Sequence, residues 1–280
     1  MLGKRYEKSH SAKHINRTPM KSERIRFTES HEIYQSRISC LINNLYQHGE
    51  TIHEGRNLIK KVSIPQIERE SLEVVIKSFA VPSKLKGLVY ANFQESKAWR
   101  SMQNAVLLRE LEILTPEPIA CIEYLKFNCL RESYYICHYW PHNIDLFSLM
   151  FRNLPTRTES LNLLIELANF SVELHNKGIL HLDYNPGNIL VRAKEGCFNF
   201  ALVDLNRIRF TNLDLQDRIQ GLIRLTIKPD TIEIIGQRYA KAFGIDSKQF
   251  CLKLGKEHKK FWSRRTRLEK IMRILKRPSP

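Results

Sequence analysis

A polar loop between two apolar segments is the feature that most constrains this chain. The stretch 178-GILHLDYNPGNILV-191 places it between Gly-Ile-Leu and Ile-Leu-Val, two short segments of the kind that become buried strands. A connecting turn needs Pro and Gly, and tolerates one Asn, because these residues adopt tight backbone conformations. A turn does not require His181, Asp183 and Asn188 in addition, so the loop is predicted to contain functional residues.

The spacing within this loop, His181-x-Asp183-x4-Asn188, is typical of a phosphotransferase catalytic loop. Asp183 would accept the proton of an attacking hydroxyl, or at least orient that hydroxyl. The Asn188 amide oxygen would bind Mg²⁺, which prefers oxygen ligands. A second carboxylate, which would bind the metal, is expected from the next strand. Asp204 fits this expectation, because it follows FALV sixteen residues after Asn188. We expect His181 to tie the loop to the strand that carries Asp204.

The order of elements indicates a small β-rich lobe followed by a larger helical lobe. Up to residue 140, helices are predicted over 31–48 and 94–114. Between them three strands are expected, two in a hairpin over 50–64 and one over 72–79. Two more strands follow the second helix, over 119–125 and 134–140.

The second part of the chain has mainly helical periodicity. Helices are predicted over 144–152 and 159–176, and Gly178 ends the second of them. More helices are predicted after Asp204, up to about residue 250. The sequence therefore predicts four regions in an α+β, two-lobed arrangement with an antiparallel N-lobe sheet. They are a mobile basic arm (1–30), a β-rich N-lobe (31–138), a helical C-lobe (139–250) and a basic amphipathic C-terminal tail (251–280).

Nucleotide-binding residues are predicted in the β-rich region. Lys77 lies in the strand sequence VVIK, the usual context of the lysine that contacts the α- and β-phosphates. The turn between the first two predicted strands contains a single glycine, Gly55, which brings fewer backbone N–H groups to phosphates than a Gly-rich loop does. We expect Arg56 to add side-chain charge there, and Glu95 is the candidate partner of Lys77.

Composition excludes several classes of protein. The 280 residues are 42% hydrophobic and 26% charged, as in a globular protein, and no apolar run approaches the about 20 residues needed to span a bilayer. The first residues, MLGKRYEKSH, do not predict a signal peptide. The six cysteines form no CxxC pair, which indicates reduced thiols in the cytoplasm rather than a disulfide framework or a zinc site.

The net charge of +16 is concentrated at the two ends of the chain. Residues 1–30 hold eight Lys and Arg against three Glu, and residues 251–280 hold eleven against two. Basic ends around a nearly neutral middle predict that the tails bind a polyanion: nucleic acid, a membrane surface or an acidic glycolipid. Residues 259–276 also show amphipathic helical periodicity, which is compatible both with packing on the C-lobe and with membrane contact.

The segment after Asp204 argues against an ordinary regulated protein kinase, since DLNR replaces DFG and no APE follows. The motifs HLDYNPGNILV, LVDLNRIRF, GRN, SKAWR and TPEPIACIE resemble the bacterial lipopolysaccharide core kinases, the Kdo/heptose kinase family of the protein-kinase-like superfamily. The resemblance runs from about residue 45 to about residue 250. It implies a protein-kinase-like fold and ATP-dependent phosphorylation of a sugar hydroxyl in the lipopolysaccharide inner core.

The resemblance also implies roles for individual residues. Asp183 would be the catalytic aspartate, Asn188 and Asp204 the Mg²⁺ ligands, and Lys77 the lysine that binds the ATP phosphates. It further implies a location at the cytoplasmic face of the inner membrane, where the basic tails would contact anionic lipid.

Three alternative functions share parts of this pattern. An aminoglycoside- or choline-type phosphotransferase would use the same Asp, Asn and Asp set but needs an acidic acceptor pocket for its cationic substrate. A RIO-like protein kinase would place the tails on RNA, although no aromatic RNP pattern is present and nucleic acid is not the expected partner. A pseudokinase would keep the fold as a membrane- or RNA-binding module without turnover.

Overall fold

The computed structural model describes residues 21–29, 31–45, 47–65, 70–151 and 157–275. The chain divides into two compact units, Met1–Trp140 and Pro141–Pro280. This division lies two residues after the boundary expected from the sequence, which falls at the end of the strand Cys129–His138.

The N-terminal unit is built on a six-stranded antiparallel sheet with the order β1-β5-β6-β4-β3-β2. Its strands are β1 (Lys21–Phe27), β2 (Glu50–Glu54), β3 (Leu58–Ile64), β4 (Leu72–Ser78), β5 (Pro118–Lys126) and β6 (Cys129–His138). Its helices are α1 (Gln35–Asn43), α2 (Lys84–Asn92) and α3 (Lys97–Glu110), and a 3-10 turn spans Glu32–Tyr34.

The core of this unit follows from alternation along the strands. Val74 and Ile76 of β4 and Ile122 of β5 point to one face of the sheet, where Ile38 and Ile42 of α1 cover them. Side chains two residues apart on a strand share a face, so this pattern selects the face that is buried. The predicted hairpin and the strand that carries Lys77 are both present.

The N-terminal arm prediction is wrong for residues 21–27, which form the edge strand β1. Arg26 donates to Glu123 on β5 at 2.9 Å, and its guanidinium lies 4.4 Å from the Trp99 ring centroid. Ile25 and Phe27 pack against the core of the sheet. The partners of Arg26 are supplied by distant segments, so the local sequence reads as a charged arm. Residues 1–20 and 30 lie outside the described residues.

Helix α2 was not predicted, and α3 is shorter than the predicted 94–114. The α3 helix begins after Ser96, whose hydroxyl accepts a hydrogen bond from the Trp99 backbone N–H at 3.0 Å. Such a cap satisfies one of the backbone donors that a helix start leaves unpaired.

The C-terminal unit is mainly helical, with two small antiparallel sheets formed by β8–β9 and β7–β10. Its helices are α4 (Leu146–Phe151), α5 (Arg157–Asn176), α6 (Leu215–Leu222), α7 (Pro229–Phe243) and α8 (Ser247–Leu275). Its strands are β7 (Ile179–His181), β8 (Ile189–Lys194), β9 (Cys197–Leu202) and β10 (Ile208–Phe210). Two 3-10 turns, Pro186–Asn188 and Leu205–Arg207, follow the loop of interest and Asp204.

The structure corrects the prediction of a separate C-terminal tail from residue 251. Helix α8 begins at Ser247, and its first half packs within the unit: Leu254 is buried, and the His258 Nε2–H donates to the Thr226 carbonyl at 2.8 Å. The Trp262 indole N–H donates to the Ile223 carbonyl at 3.0 Å. The apolar stripe up to Trp262 therefore faces the protein.

The second half of α8 is different. Leu268, Ile271 and Met272 are exposed, Leu268 with 62% of its surface accessible. Within the described residues, no helix is long and apolar enough to cross a membrane. Residues 276–280 of the predicted tail lie outside the described residues.

Candidate active site

The His181 side chain connects the loop to the segment that carries Asp204. His181 ends β7 and is buried; its Nε2 lies 3.0 Å from the Val203 carbonyl oxygen, and its Nδ1 accepts from the Asp183 backbone N–H at 3.1 Å. Because Nδ1 is an acceptor, Nε2 carries the proton and donates it to Val203. Burial lowers the pKa of His181, against the raising effects of the Val203 bond and of Asp204 and Asp183, which favours this neutral form.

Two asparagine amides hold the backbone of Asp183. The Asn188 side-chain amide donates to the Asp183 carbonyl at 2.9 Å, and the Asn185 amide donates to the same carbonyl at 3.0 Å. Asn185 also reaches the Asp183 carboxylate at 3.3 Å, while its oxygen accepts from the Gly187 backbone N–H at 3.0 Å. The loop conformation is therefore set largely through main-chain contacts.

Asn185 is a residue of the site that the sequence interpretation left without a role. It caps the 3-10 turn Pro186–Asn188 and bonds two residues on, which is an Asx-turn. An Asn immediately before Pro-Gly is the sequence signal that would have identified it.

The Asp183 carboxylate is partly accessible, with 35% of its side chain exposed. One oxygen lies 3.9 Å from Nη1 of Arg207, and the Arg207 carbonyl accepts from the Leu182 backbone N–H at 2.9 Å. Arg207 is thus positioned through both its backbone and its side chain. The carboxylate is therefore accessible to solvent.

Asp204 has a left-handed backbone conformation, with φ 56° and ψ 49°. It follows the end of β9 by two residues rather than ending the strand, and the Asn206 amide donates to its Oδ1 at 2.6 Å. The neighbouring Val203 backbone N–H donates to the Asn188 carbonyl at 3.0 Å, which extends the β8–β9 ladder. Asn188 and Asp204 therefore lie at the same end of this hairpin.

The donor set at this end of the hairpin suits Mg²⁺. The Asn188 amide nitrogen is used by the Asp183 carbonyl, so the side-chain oxygen is the atom left to bind a cation. The Asp204 carboxylate supplies further oxygen atoms. Mg²⁺ takes oxygen ligands, commonly one or two carboxylates together with waters and substrate phosphates.

An arginine cluster, which we define as Arg207, Arg224 and Arg265, lies near Asp183. Burial lowers the pKa of Arg224, the Asp183 charge raises it, and the charges of Arg265 and Arg207 lower it further. Arg224 therefore lies within electrostatic reach of the Asp183 carboxylate and of the other two guanidinium groups.

Aromatic side chains of α8 contact two members of the arginine cluster. The Arg224 guanidinium lies 4.9 Å from the Phe261 ring centroid, and that of Arg265 lies 5.3 Å from the Trp262 ring centroid. Arg265 also pairs with Glu269 at 3.1 Å. The residues that we assigned to a membrane tail thus contribute to the surroundings of Asp183.

The predicted nucleotide residues lie in the N-terminal unit. Lys77 of β4 is 9% exposed, and its Nζ lies 5.1 Å from the Phe79 ring centroid. Burial raises the pKa of Cys137 to about 12, and the Lys77 charge opposes that shift. A buried strand position of this kind holds the lysine in one orientation.

Glu95, Gly55 and Arg56 are exposed residues of the N-terminal unit. The Glu95 carboxylate accepts from the Trp99 indole N–H at 3.2 Å. Gly55 and Arg56 form the β2–β3 turn, in which the Gly55 N–H donates to the Asn57 carbonyl at 3.2 Å. These three residues keep their nucleotide roles as proposals.

Comparison with known proteins identifies the family. The model of the lipopolysaccharide kinase (Kdo/WaaP) family matches residues 84–242, more than half of the chain. The chain belongs to this family. The matched region contains Asp183, Asn188 and Asp204, whereas Lys77 precedes it. The predicted family and the predicted kinase activity are confirmed.

Solved structures show the fold. The structure titled "WaaP in complex with acyl carrier protein" has a TM-score of 0.55 and 14% sequence identity, covering 85% of this chain and 98% of that chain. The PknI kinase domain of Mycobacterium tuberculosis matches with a TM-score of 0.41 and 12% identity, covering 75% and 93% of the two chains. The predicted α+β, protein-kinase-like fold class is confirmed. None of the curated proteins compared with the sequence matches it.

Proposed function

We propose that this member of the lipopolysaccharide kinase family transfers the γ-phosphoryl group of ATP to a sugar hydroxyl of the lipopolysaccharide inner core. Asp183 would accept the proton of the attacking hydroxyl, and Asn188 and Asp204 would hold Mg²⁺, which neutralises charge on the phosphates. Lys77, with Gly55, Arg56 and Glu95, would belong to the nucleotide site. His181 would position the loop through its bond to Val203.

The observation that carries the choice of acceptor is the arginine cluster beside Asp183. A kinase for aminoglycosides or choline has to bind a cation next to its catalytic aspartate, and it needs acidic groups there. Arginines near this carboxylate instead favour an acceptor with carboxylate or phosphate groups, which Arg binds through paired hydrogen bonds. The acidic lipopolysaccharide core has this chemistry.

Radiolabel transfer from γ-labelled ATP tests this proposal. The purified chain is incubated with Mg²⁺ and with dephosphorylated lipopolysaccharide core, an aminoglycoside or a ribosomal protein fraction. We expect label in the lipopolysaccharide alone. Label in the aminoglycoside or in protein would support the corresponding alternative kinase, and the absence of transfer to any acceptor would support the pseudokinase.

Replacement of Arg224 by Gln tests the role of the arginine cluster. We expect the KM for lipopolysaccharide to rise about tenfold, the equivalent of about 1.4 kcal/mol for a lost hydrogen bond to a charged group. The KM for ATP should not change, because the acceptor and not the nucleotide meets this charge. Steady-state kinetics at several salt concentrations provide the measurement, with weaker salt dependence expected in the variant.

The matched control for this experiment is Arg264→Gln, which removes an exposed arginine from the same helix as Arg265. A thermal melt checks that Arg224→Gln is folded, and Arg265→Gln provides a second, more exposed site for the same measurement. Equal acceptor KM values in wild type, Arg224→Gln and Arg265→Gln would contradict an anionic acceptor subsite here.

We also propose that the exposed end of α8 contacts the anionic cytoplasmic face of the inner membrane. Leu268, Ile271 and Met272 are exposed on a segment that is rich in Lys and Arg. Charge attraction and apolar insertion together make a two-signal anchor, while one signal alone is usually marginal. Each basic residue near an anionic surface contributes about 1 kcal/mol.

Deletion of residues 267–280 is expected to abolish flotation with anionic liposomes at low salt. The deletion removes Leu268, Ile271 and Met272 but keeps Leu254, His258 and the Trp262 contact, so the melting temperature should change little. Flotation with neutral liposomes is the control for charge. A truncated protein that still floats with anionic liposomes would place membrane contact elsewhere.

A further inference from the structure

Three side chains with metal-binding atoms converge in the N-terminal unit. His31 follows β1, Glu117 immediately precedes β5, and His138 ends β6. The Nε2 atoms of the two histidines are 3.0 Å apart, and one Glu117 carboxylate oxygen lies within 4.8 Å of both. The His138 backbone N–H donates to the Glu117 carbonyl at 2.8 Å, which fixes two of the three positions relative to each other.

Hydrogen bonding sets the tautomer of His31. The Thr28 hydroxyl donates its single proton to the Pro118 carbonyl at 2.9 Å, or to the next carbonyl at 3.3 Å. With the hydroxyl proton on the Pro118 carbonyl, the hydroxyl oxygen, 2.8 Å from His31 Nδ1, accepts a proton from that nitrogen. The Nε2 lone pair of His31 is consequently directed at His138.

The same arrangement is characteristic of metal-binding histidines. A ligand histidine usually donates its second ring N–H to a carbonyl, carboxylate or other acceptor, and this bond fixes the ring orientation. The Thr28 hydroxyl performs that role for His31.

We propose that His31, His138 and Glu117 bind one Zn²⁺ ion, with water in the fourth position. Zn–N bonds of about 2.0–2.1 Å in a tetrahedral site separate two nitrogen ligands by about 3.3 Å, close to the observed 3.0 Å. The proton that His138 Nε2 shares with His31 moves to the Nδ1 of His138, so both rings stay neutral. Glu117 approaches by a change of side-chain rotamer.

The ligand types select zinc over the magnesium of the proposed phosphotransfer site. Imidazole nitrogen suits Zn²⁺, whereas Mg²⁺ prefers oxygen ligands. The ion would join the segment after β1 to the adjoining ends of β5 and β6. Its expected effect is to fasten the N-terminal edge strand to the sheet, in addition to the Arg26–Glu123 ion pair.

Replacement of Arg109 is a test in which zinc binding is expected to become tighter instead of weaker. Its Nη2 lies 3.6 Å from the Glu117 carboxylate, so it competes with a metal for that group. Arg109→Met removes the competitor and one repelling positive charge. The variant should bind Zn²⁺ more tightly than wild type, by about tenfold, whereas a purely structural His–His contact predicts no gain.

Zinc titration of the chelator-treated full chain, followed by competition with a chromophoric chelator, is the direct measurement. We expect one equivalent of Zn²⁺ and a higher melting temperature with the ion. His138→Gln and Glu117→Gln should each weaken binding at least tenfold, and Thr28→Val about 10–100-fold through the bond to His31. The matched control is His53→Gln, an exposed histidine of β2, which should bind as wild type does.

The proposal is overturned if wild type binds less than one equivalent of Zn²⁺, or if the Glu117→Gln, Thr28→Val and Arg109→Met variants all bind as wild type does. If His138→Gln does not fold, as a melt without metal would show, the Glu117, Thr28 and Arg109 variants decide. A wild-type Co²⁺ complex with visible bands typical of sulfur ligands would also contradict the site, because the proposed ligands are nitrogen and oxygen.

Discussion

Replacement of Asp183 by Asn is expected to lower kcat by about 10²–10⁴-fold, the usual range for removal of a general base. An amide cannot take the proton of the attacking hydroxyl. The loop should keep its shape, because Asn185 and Asn188 bond to the Asp183 backbone carbonyl, which the substitution leaves in place. ATP affinity should be close to that of wild type.

Initial rates of transfer to lipopolysaccharide and calorimetric ATP binding measure the two parts of this prediction. Asp230→Asn, at an exposed position of α7, is the matched control, and it should transfer at the wild-type rate. A wild-type rate of phosphoryl transfer by the Asp183→Asn variant would contradict the proposed catalytic role of this loop. Loss of ATP affinity together with turnover would instead indicate a collapsed loop.

The second large effect is expected for Asp204→Asn. Loss of a metal carboxylate should lower kcat/KM by about 10²-fold or more, because a bound cation contributes several kcal/mol to stabilising the charged transition state. Asn is the suitable substitution because Asp204 has φ 56°, a conformation that Asn adopts at least as readily as Asp. Replacement by Ala would add backbone strain of about 1–2 kcal/mol and confuse the result.

Measuring ATP affinity once with Mg²⁺ and once with a chelator isolates the contribution of the metal to ATP binding. Wild type should bind Mg-ATP more tightly than metal-free ATP, and the Asp204→Asn variant should lose most of that difference. Asp214→Asn is the control, because its side chain caps α6 by accepting from the Asp217 N–H and Asn caps equally well. A variant that keeps the full Mg²⁺ effect would show that Asp204 is not a ligand.

The arrangement of the loop proposed to be catalytic could be predicted because its defining contacts are local. His181, Asp183, Asn185 and Asn188 lie within eight residues, and the β8–β9 hairpin brings Asp204 next to them by short-range pairing. The strand that carries Lys77 was equally evident, since a buried strand needs a run of apolar residues. In such segments the local sequence contains both the residues and the constraint that aligns them.

Other features depend on partners far along the chain. Strand β1 reads as a charged arm until Glu123, 97 residues from Arg26, supplies its ion-pair partner. Amphipathicity alone does not show whether the apolar face of α8 packs on the protein or on a membrane, because both surfaces select the same pattern of residues. Contacts to Ile223 and Thr226 decide it for the first half of the helix.

The sequence by itself therefore determined the fold class and the family. It also predicted the Asp, Asn and Asp set as the active site, and these residues lie together because their spacing is short and their backbone is locally fixed. Only the tertiary structure brought the arginine cluster to Asp183 and His31 to His138. Their members come from separate elements with no common periodicity, and 107 residues separate the two histidines. Side chains so far apart meet only when burial of the intervening segments offsets the entropy of closing the loop between them.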